Sequence, residues 1–148
     1  TLLSIPWYVT ALTVTASSCN DNNIYVVDLS SFKFLRSVVI GNYCFRYVLA
    51  FSIVGLNWLE SVSIGYRSFW DSSTSSLKGS EFKIVNCPQL KSLSIGGSSF
   101  VRYNGFELSE LPQLKSVEIV SDSHNNGNSF GIAPKAVFRG MNDGRDGL

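Results

Sequence analysis

Hydrophobic and polar residues alternate in short runs along most of the chain. In "LKSLSIGGSSF" (90–100), Leu93 and Ile95 are interleaved with Ser92, Ser94 and Gly96. A period of two marks a β-strand with one buried face. The same run recurs as "LRSVVIGNYCF" (35–45) and "LESVSIGYRSF" (59–69). A further copy begins "LKSVEI" (114–119), and a weaker one lies upstream as "VTALTVTASSC" (9–19). From Val9 through Leu35, Leu59 and Leu90 to Leu114 the intervals are 26, 24, 31 and 24 residues. The long interval is a 24-residue unit carrying seven extra residues, supplied by the polar stretch "DSSTSSLKGS" (71–80).

The remainder of the unit repeats as well, as "FSIVGLNWL" (51–59), "FKIVNCPQL" (82–90) and "FELSELPQL" (106–114), with "VDLSSFKFL" (27–35) in the same frame. These segments also alternate apolar and polar, are rich in β-branched and aromatic residues, and show no period of 3.6. They predict short strands or turns on the return side rather than helices. A unit of about 24 residues in about five copies lies within the range of repeat arrays. One such unit cannot bury its own apolar side, so its stability must come from its neighbours. Copies are expected to stack as a parallel sheet about 4.8 Å apart, with Leu35, Val38, Ile40 and their equivalents inward. Phe45, Phe69 and Phe100 should form an aromatic ladder, each buried ring contributing about 1.5–3 kcal/mol. Gly41, Gly65 and Gly96 fall at strand ends, where the chain must turn sharply. Pro88 and Pro112 fall just ahead of the next strand, where a missing N–H is tolerated.

Leu90-x-x-Leu93-x-Ile95 with Phe100 resembles the leucine-rich repeat pattern L-x-x-L-x-L-x-x-N/C-x-L. The "I-G-x-x-S-F" cadence is similar to the variant repeats of the BspA-like group of bacterial and protist proteins. The chain departs from the family at the Asn position, where Tyr43, Arg67 and Ser98 stand. The turn that this Asn would cap is expected to be satisfied by Cys44, Ser68 and Ser99, one place later. The resemblance implies a mainly β leucine-rich-repeat solenoid, with the stacked parallel sheet on a concave face and short strands or turns, with little helix, on the convex face. On this reading residues 1–138 form a single domain of about five repeats, expected to belong to a longer array, and 139–148 form a flexible tail. "SDSHNNGNSFG" (121–131) reads as a polar loop in which Ser129 and Phe130 restore the Ser-Phe column.

Composition narrows the chemistry. With 45% hydrophobic and 16% charged residues in 148, the chain is built to bury a core rather than to remain disordered. A net charge of +1 gives no general steering toward nucleic acid. The apolar runs are too short to span a bilayer. Three cysteines at irregular spacing argue against a disulfide framework. Cys19 falls in the Phe column and Cys87 in the column of Leu56 and Leu111, so both are expected to be buried. Cys44 lies in a different column from Cys19, so no bridge between them is expected. The single histidine, His124, sits in an Asn/Gly loop near Asp122 with no nucleophile motif. No zinc spacing and no phosphate-binding glycine motif is present. The sequence therefore offers no catalytic residue, no cofactor site and no metal ligand set.

Function is instead expected on outward strand positions. The first outward column is Thr10, Arg36, Glu60, Lys91 and Lys115; the next is Ala11, Ser37, Ser61, Ser92 and Ser116; the third is Thr13, Val39, Ser63, Ser94 and Glu118. Tyr66, with Tyr43 beside the turn, stands at the rim. A concave sheet of this kind suits a non-catalytic scaffold for a protein or peptide ligand. A carbohydrate-active parallel β-helix enzyme and a cell-surface adhesion protein are the alternatives; two sheets per turn of chain favour the scaffold, three the β-helix. The insert at 70–80 is a tolerated loop or a binding feature, and the sequence is silent on compartment and oligomeric state.

Overall fold

A computed structural model describes residues 4–70, 80–101, 103–120 and 135–139, the last stretch by its backbone alone. The insert residues 71–79, His124, Asp122, Ser129, Phe130 and the tail beyond Arg139 lie outside the described residues. The strands are β1 (Ala11–Val14), β2 (Val26–Asp28), β3 (Ser37–Ile40), β4 (Ala50–Val54), β5 (Ser61–Ile64), β6 (Glu81–Val85), β7 (Ser92–Ile95), β8 (Gly105–Ser109), β9 (Ser116–Ile119) and β10 (Lys135–Arg139). No α-helix occurs among the described residues.

The chain alternates between two five-stranded parallel sheets, ordered β1-β3-β5-β7-β9 and β10-β8-β6-β4-β2. Register follows the sequence repeat residue for residue: Val38 pairs with Leu12 and Val62, and Leu93 with Val62 and Val117. In the second sheet Phe82 is flanked by Phe51 and Phe106. The seven-residue insertion is accommodated between Phe69 and Glu81 without a register slip. β10 was not visible in the sequence, because "KAVFR" lacks the Phe-x-Ile pattern; it pairs with β8 and includes Arg139.

The inward faces of the two sheets form one core containing Leu35, Val38, Ile40, Leu59, Val62, Ile64, Leu90, Leu93 and Ile95. The aromatic ladder is present: Phe45, Phe69 and Phe100 stack with centroids 5.2 and 4.5 Å apart. A second ladder, Phe51, Phe82 and Phe106, stacks at 5.5 and 5.1 Å. The ladders meet edge to face, Phe51 on Phe69 at 5.0 Å and Phe82 on Phe100 at 4.7 Å. Each ring thus combines area burial with the preferred quadrupole geometry.

The corners after β1, β3, β5 and β7 hold a backbone motif that sequence reasoning missed. Ser17, Tyr43, Arg67 and Ser98 have positive φ, and so do Cys19, Phe45, Phe69 and Phe100 two places later. Left-handed backbone is rare for bulky residues and costs about 1–2 kcal/mol each. Hydrogen bonding offsets that cost. The amides of Tyr43 and Arg67 donate forward to Tyr66 O (2.9 Å) and Gly97 O (3.0 Å), while those of Phe45 and Phe69 donate back to Ser18 O (3.3 Å) and Cys44 O (2.9 Å). Two left-handed residues, one apart, aim amides in both directions along the stack.

The intervening residue completes the corner as expected. Ser68 Oγ donates to Gly41 O (2.8 Å) and accepts from Cys44 N (3.2 Å). Ser99 Oγ donates to Gly65 O (2.9 Å) and accepts from Ser68 N (3.1 Å). Cys44 Sγ donates to Thr15 O at 3.1 Å, the equivalent contact one repeat earlier. All three residues are buried.

Two local expectations change in detail. Gly41, Gly65 and Gly96 do follow the strands, but close approach is what requires them: a Cβ on Gly65 would lie 2.6 Å from the carbonyl carbon of Gly41, and one on Gly96 2.5 Å from the amide of Tyr66. Pro88 and Pro112 occupy the second position of the turns closed by Leu90 N to Cys87 O and Leu114 N to Leu111 O, both 3.1 Å, where a fixed φ is favourable.

Cys87 is buried as expected, but Cys19 is exposed. It does continue the Phe column, beyond Phe45, yet β1 is the edge strand of its sheet among the described residues. There the core opens into a pocket of about 730 Å³ whose lining includes Leu12, Val14, Cys19, Ile24 and Phe45. β9 is the opposite edge of that sheet among the described residues, and there Val117 and Ile119, inward by pattern, are exposed.

Candidate functional site

The outer face of the odd-strand sheet brings the three outward columns together. The pairings Ser37–Ser61–Ser92–Ser116 and Val39–Ser63–Ser94–Glu118 place these residues in straight rows across β3, β5, β7 and β9. Val39, Ser63, Ser116 and Glu118 are exposed; Ser37, Ser61, Ser92 and Ser94 are half-buried between their neighbours. Small side chains leave this face low, so a ligand could approach the strands closely.

Arg36, Glu60, Lys91 and Lys115 form the row just ahead of the strands. Their backbones are locked by a continuous rail: Glu60 N to Arg36 O (2.7 Å), Lys91 N to Glu60 O (2.9 Å) and Lys115 N to Lys91 O (2.9 Å). Glu60 sits between two cations, with Lys91 Nζ at 2.8 Å and Arg36 Nη1 at 3.3 Å. The hydrogen bond and charge of Lys91, aided by Arg36, hold its carboxyl below the ordinary glutamate range. Both pairs are solvent-exposed and screened, so they order the row more than they stabilise the fold.

Tyr66 lies at the far rim, half-buried. Its ring meets Tyr43 edge to face at 5.6 Å, and the Arg67 guanidinium stacks over it at 5.2 Å. Arg67 also lies 5.6 Å from the Trp70 ring, at the base of the insert. The aromatic pair therefore serves both contact between repeats and surface presentation.

A second aromatic rim was missed in the sequence. Trp7, Tyr8, Phe34 and Trp58 are 64, 62, 43 and 52% exposed. Trp7 touches Tyr8 at 5.7 Å and Phe34 at 5.6 Å, and Arg36 stacks over Trp58 at 5.5 Å. A signal was available. Tyr8, Phe34 and Trp58 share the column immediately before the inward Val9, Leu35 and Leu59, and the later repeats place Gln89 and Gln113 there, both exposed. The fold thus accepts a polar residue at a position where three repeats carry an aromatic.

Outside this face, Asp28 accepts hydrogen bonds from Ser30 N (3.0 Å), Ser30 Oγ (2.5 Å) and Ser52 Oγ (2.9 Å). Desolvation is the largest single influence and opposes ionisation, but these bonds and the nearby Lys33 charge together lower its carboxyl below the ordinary range. Among the described residues no group of three His, Cys, Asp or Glu side chains could hold a metal ion. Among them, too, no helix is long and apolar enough to cross a membrane.

No family model, no curated protein and no solved structure matches the chain.

Proposed function

We propose that the chain is a leucine-rich-repeat-type solenoid, similar in cadence to the BspA-like group, and that it serves as a non-catalytic scaffold for a protein or peptide. The ligand-bearing surface is the outer face of the odd-strand sheet, the concave side of such a solenoid. The observation that carries this reading is the set of in-register outward columns: a continuous low surface of serines bordered by the Arg36–Lys115 row and by aromatics on both rims. Aromatic and Arg side chains are the residue types that anchor recognition surfaces. Two sheets per repeat, rather than three, support the scaffold over a β-helix enzyme.

The test is a pull-down with the purified chain, set against the triple variant Arg36→Glu, Lys91→Glu, Lys115→Glu. These side chains are exposed, so the variant should fold, as judged by circular dichroism and thermal unfolding. Loss of a reproducible partner with folding intact supports the reading. A partner retained at full strength places the binding surface elsewhere.

A further inference from the structure

We propose that the rim formed by Trp7, Tyr8, Phe34 and Trp58, together with the basic row beside it, receives an acidic polypeptide segment carrying aromatic or aliphatic anchors. This deepens the scaffold reading and rests on it. The first support is the column comparison. Gln89 and Gln113 show that an exposed glutamine satisfies this position, so folding does not require Phe34 or Trp58. Clustered exposed aromatics of this kind mark interaction surfaces. The second support is charge. The molecule is nearly neutral, +1 overall, but its side chains are segregated. The odd-strand face carries Arg36, Lys91 and Lys115 against Glu60 and Glu118, while Lys33 donates to Gly55 O at 3.4 Å and lies near Asp28. The outer face of the even-strand sheet carries Asp28, Glu81 and Glu107 against Lys83. Glu60 neutralises part of the Arg36–Lys91 charge, while Lys115 extends the row two repeats beyond Trp58.

The geometry also sets the ligand's direction. The aromatic column and the charged row both run across the strands, advancing by one strand spacing per repeat. An extended segment lying along them would place its apolar residues on Phe34 and Trp58 and its carboxylates over Arg36, Lys91 and Lys115. Arg36, stacked on Trp58, contacts both features at once.

The probe is a random copolymer of glutamate and tyrosine, with polyglutamate and polylysine as comparisons. Binding to the full chain is followed by calorimetry and by tryptophan fluorescence. The copolymer should bind most tightly, polyglutamate more weakly, and polylysine not at all. Raising salt from about 50 to about 200 mM should weaken binding, since exposed charges are screened. Trp58→Gln and Phe34→Gln, which install the residue already found in later repeats, should each weaken the copolymer about tenfold with no loss of folding. Lys115→Glu should weaken it in the same direction. Failure of the copolymer to bind, equal binding by Trp58→Gln, or equal binding of polylysine would overturn the proposal. If the copolymer fails while the face-charge variant still abolishes partner capture, the acidic-segment assignment falls and the scaffold reading stands. If neither shows an effect, both fall.

Discussion

The hydroxyl of Tyr103 donates a 2.6 Å hydrogen bond to the carbonyl oxygen of Val48, 55 residues earlier in the chain. Tyr103 is fully buried, and its ring packs edge-on to Phe69 at 6.4 Å and to Phe100 at 5.0 Å. The bond ties the Phe100 repeat to the Phe45 repeat across the intervening one. Tyr103→Phe keeps the ring and removes the donor, leaving the Val48 carbonyl short of a buried partner. The expected cost is about 1–3 kcal/mol, read from the urea midpoint at unchanged slope. Burial also pushes the phenol above the ordinary tyrosine range. The neutral form is favoured by the fold, so stability is undiminished below the unfolded value of 10.0 and falls as pH rises beyond it. Ultraviolet titration should show Tyr103 ionising only on unfolding.

Two glycine substitutions should move stability in opposite directions. Gly65→Ala forces a methyl to within 2.6 Å of neighbouring backbone, so the repeats must separate locally. An overpacking cost of about 1–3 kcal/mol is expected. At Gly105 the nearest atoms would be 3.8 Å away, and the paired even-strand position nearer the chain start is Ala50, reached through Glu81. Its φ is not left-handed, so Gly105→Ala should gain about 0.4–1 kcal/mol by restricting the unfolded chain. Thermal unfolding of the two variants tests both signs; equal effects would contradict the close approach at Gly65.

Thiol accessibility distinguishes the open end from the closed core. All three cysteines are free, with Cys19 exposed and Cys44 and Cys87 buried. An aromatic disulfide reagent should modify one thiol in the native protein and three in denaturant. Partial burial, with the nearby Cys44 adding to it, raises the Cys19 thiol above its ordinary value. Its reaction near neutral pH should therefore be slower than that of a small free thiol. Rapid modification of Cys87 in the native state would contradict the packing around Leu56 and Leu111.

Glu60 offers a pH signature of the charged row. Its carboxyl is depressed in the folded chain, so its ion pairs add stability above the ordinary value of 4.5 and lose it as pH falls through the folded value. In a nuclear magnetic resonance titration, Lys91→Ala should return Glu60 toward 4.5 more than Arg36→Ala does, because the Lys91 hydrogen bond is the larger cause. The shift should shrink in high salt. An unshifted Glu60 in the native protein would mean that the row is not ordered in solution.

Much of the molecule was legible in one dimension because a repeat states its contacts twice. Leu59-x-x-Val62-x-Ile64 and Leu90-x-x-Leu93-x-Ile95 needed only alignment to give the register, since period two assigns each residue a face and equal spacing assigns it a neighbour. The stacking of Phe45, Phe69 and Phe100, and the serine and cysteine ladder at the corners, followed from the same columns. What the alignment could not supply is what happens where a column ends or where the backbone itself is the contact. Cys19 belongs to the Phe column but lies beside the edge strand of its sheet among the described residues, so exposure is decided by edge position. Tyr43 and Phe45 adopt left-handed backbone with no glycine to announce it, because hydrogen bonds along the stack repay a strain that local propensity would avoid. Gly65 is required by a carbonyl carbon from another repeat rather than by its own φ. The rim of Trp7, Tyr8, Phe34 and Trp58 emerged only once the fold showed which aromatics it leaves exposed. The sequence by itself determined which residues share a row, because pattern and period are local. Tertiary structure decided which rows are covered, since burial depends on what stands next to a strand.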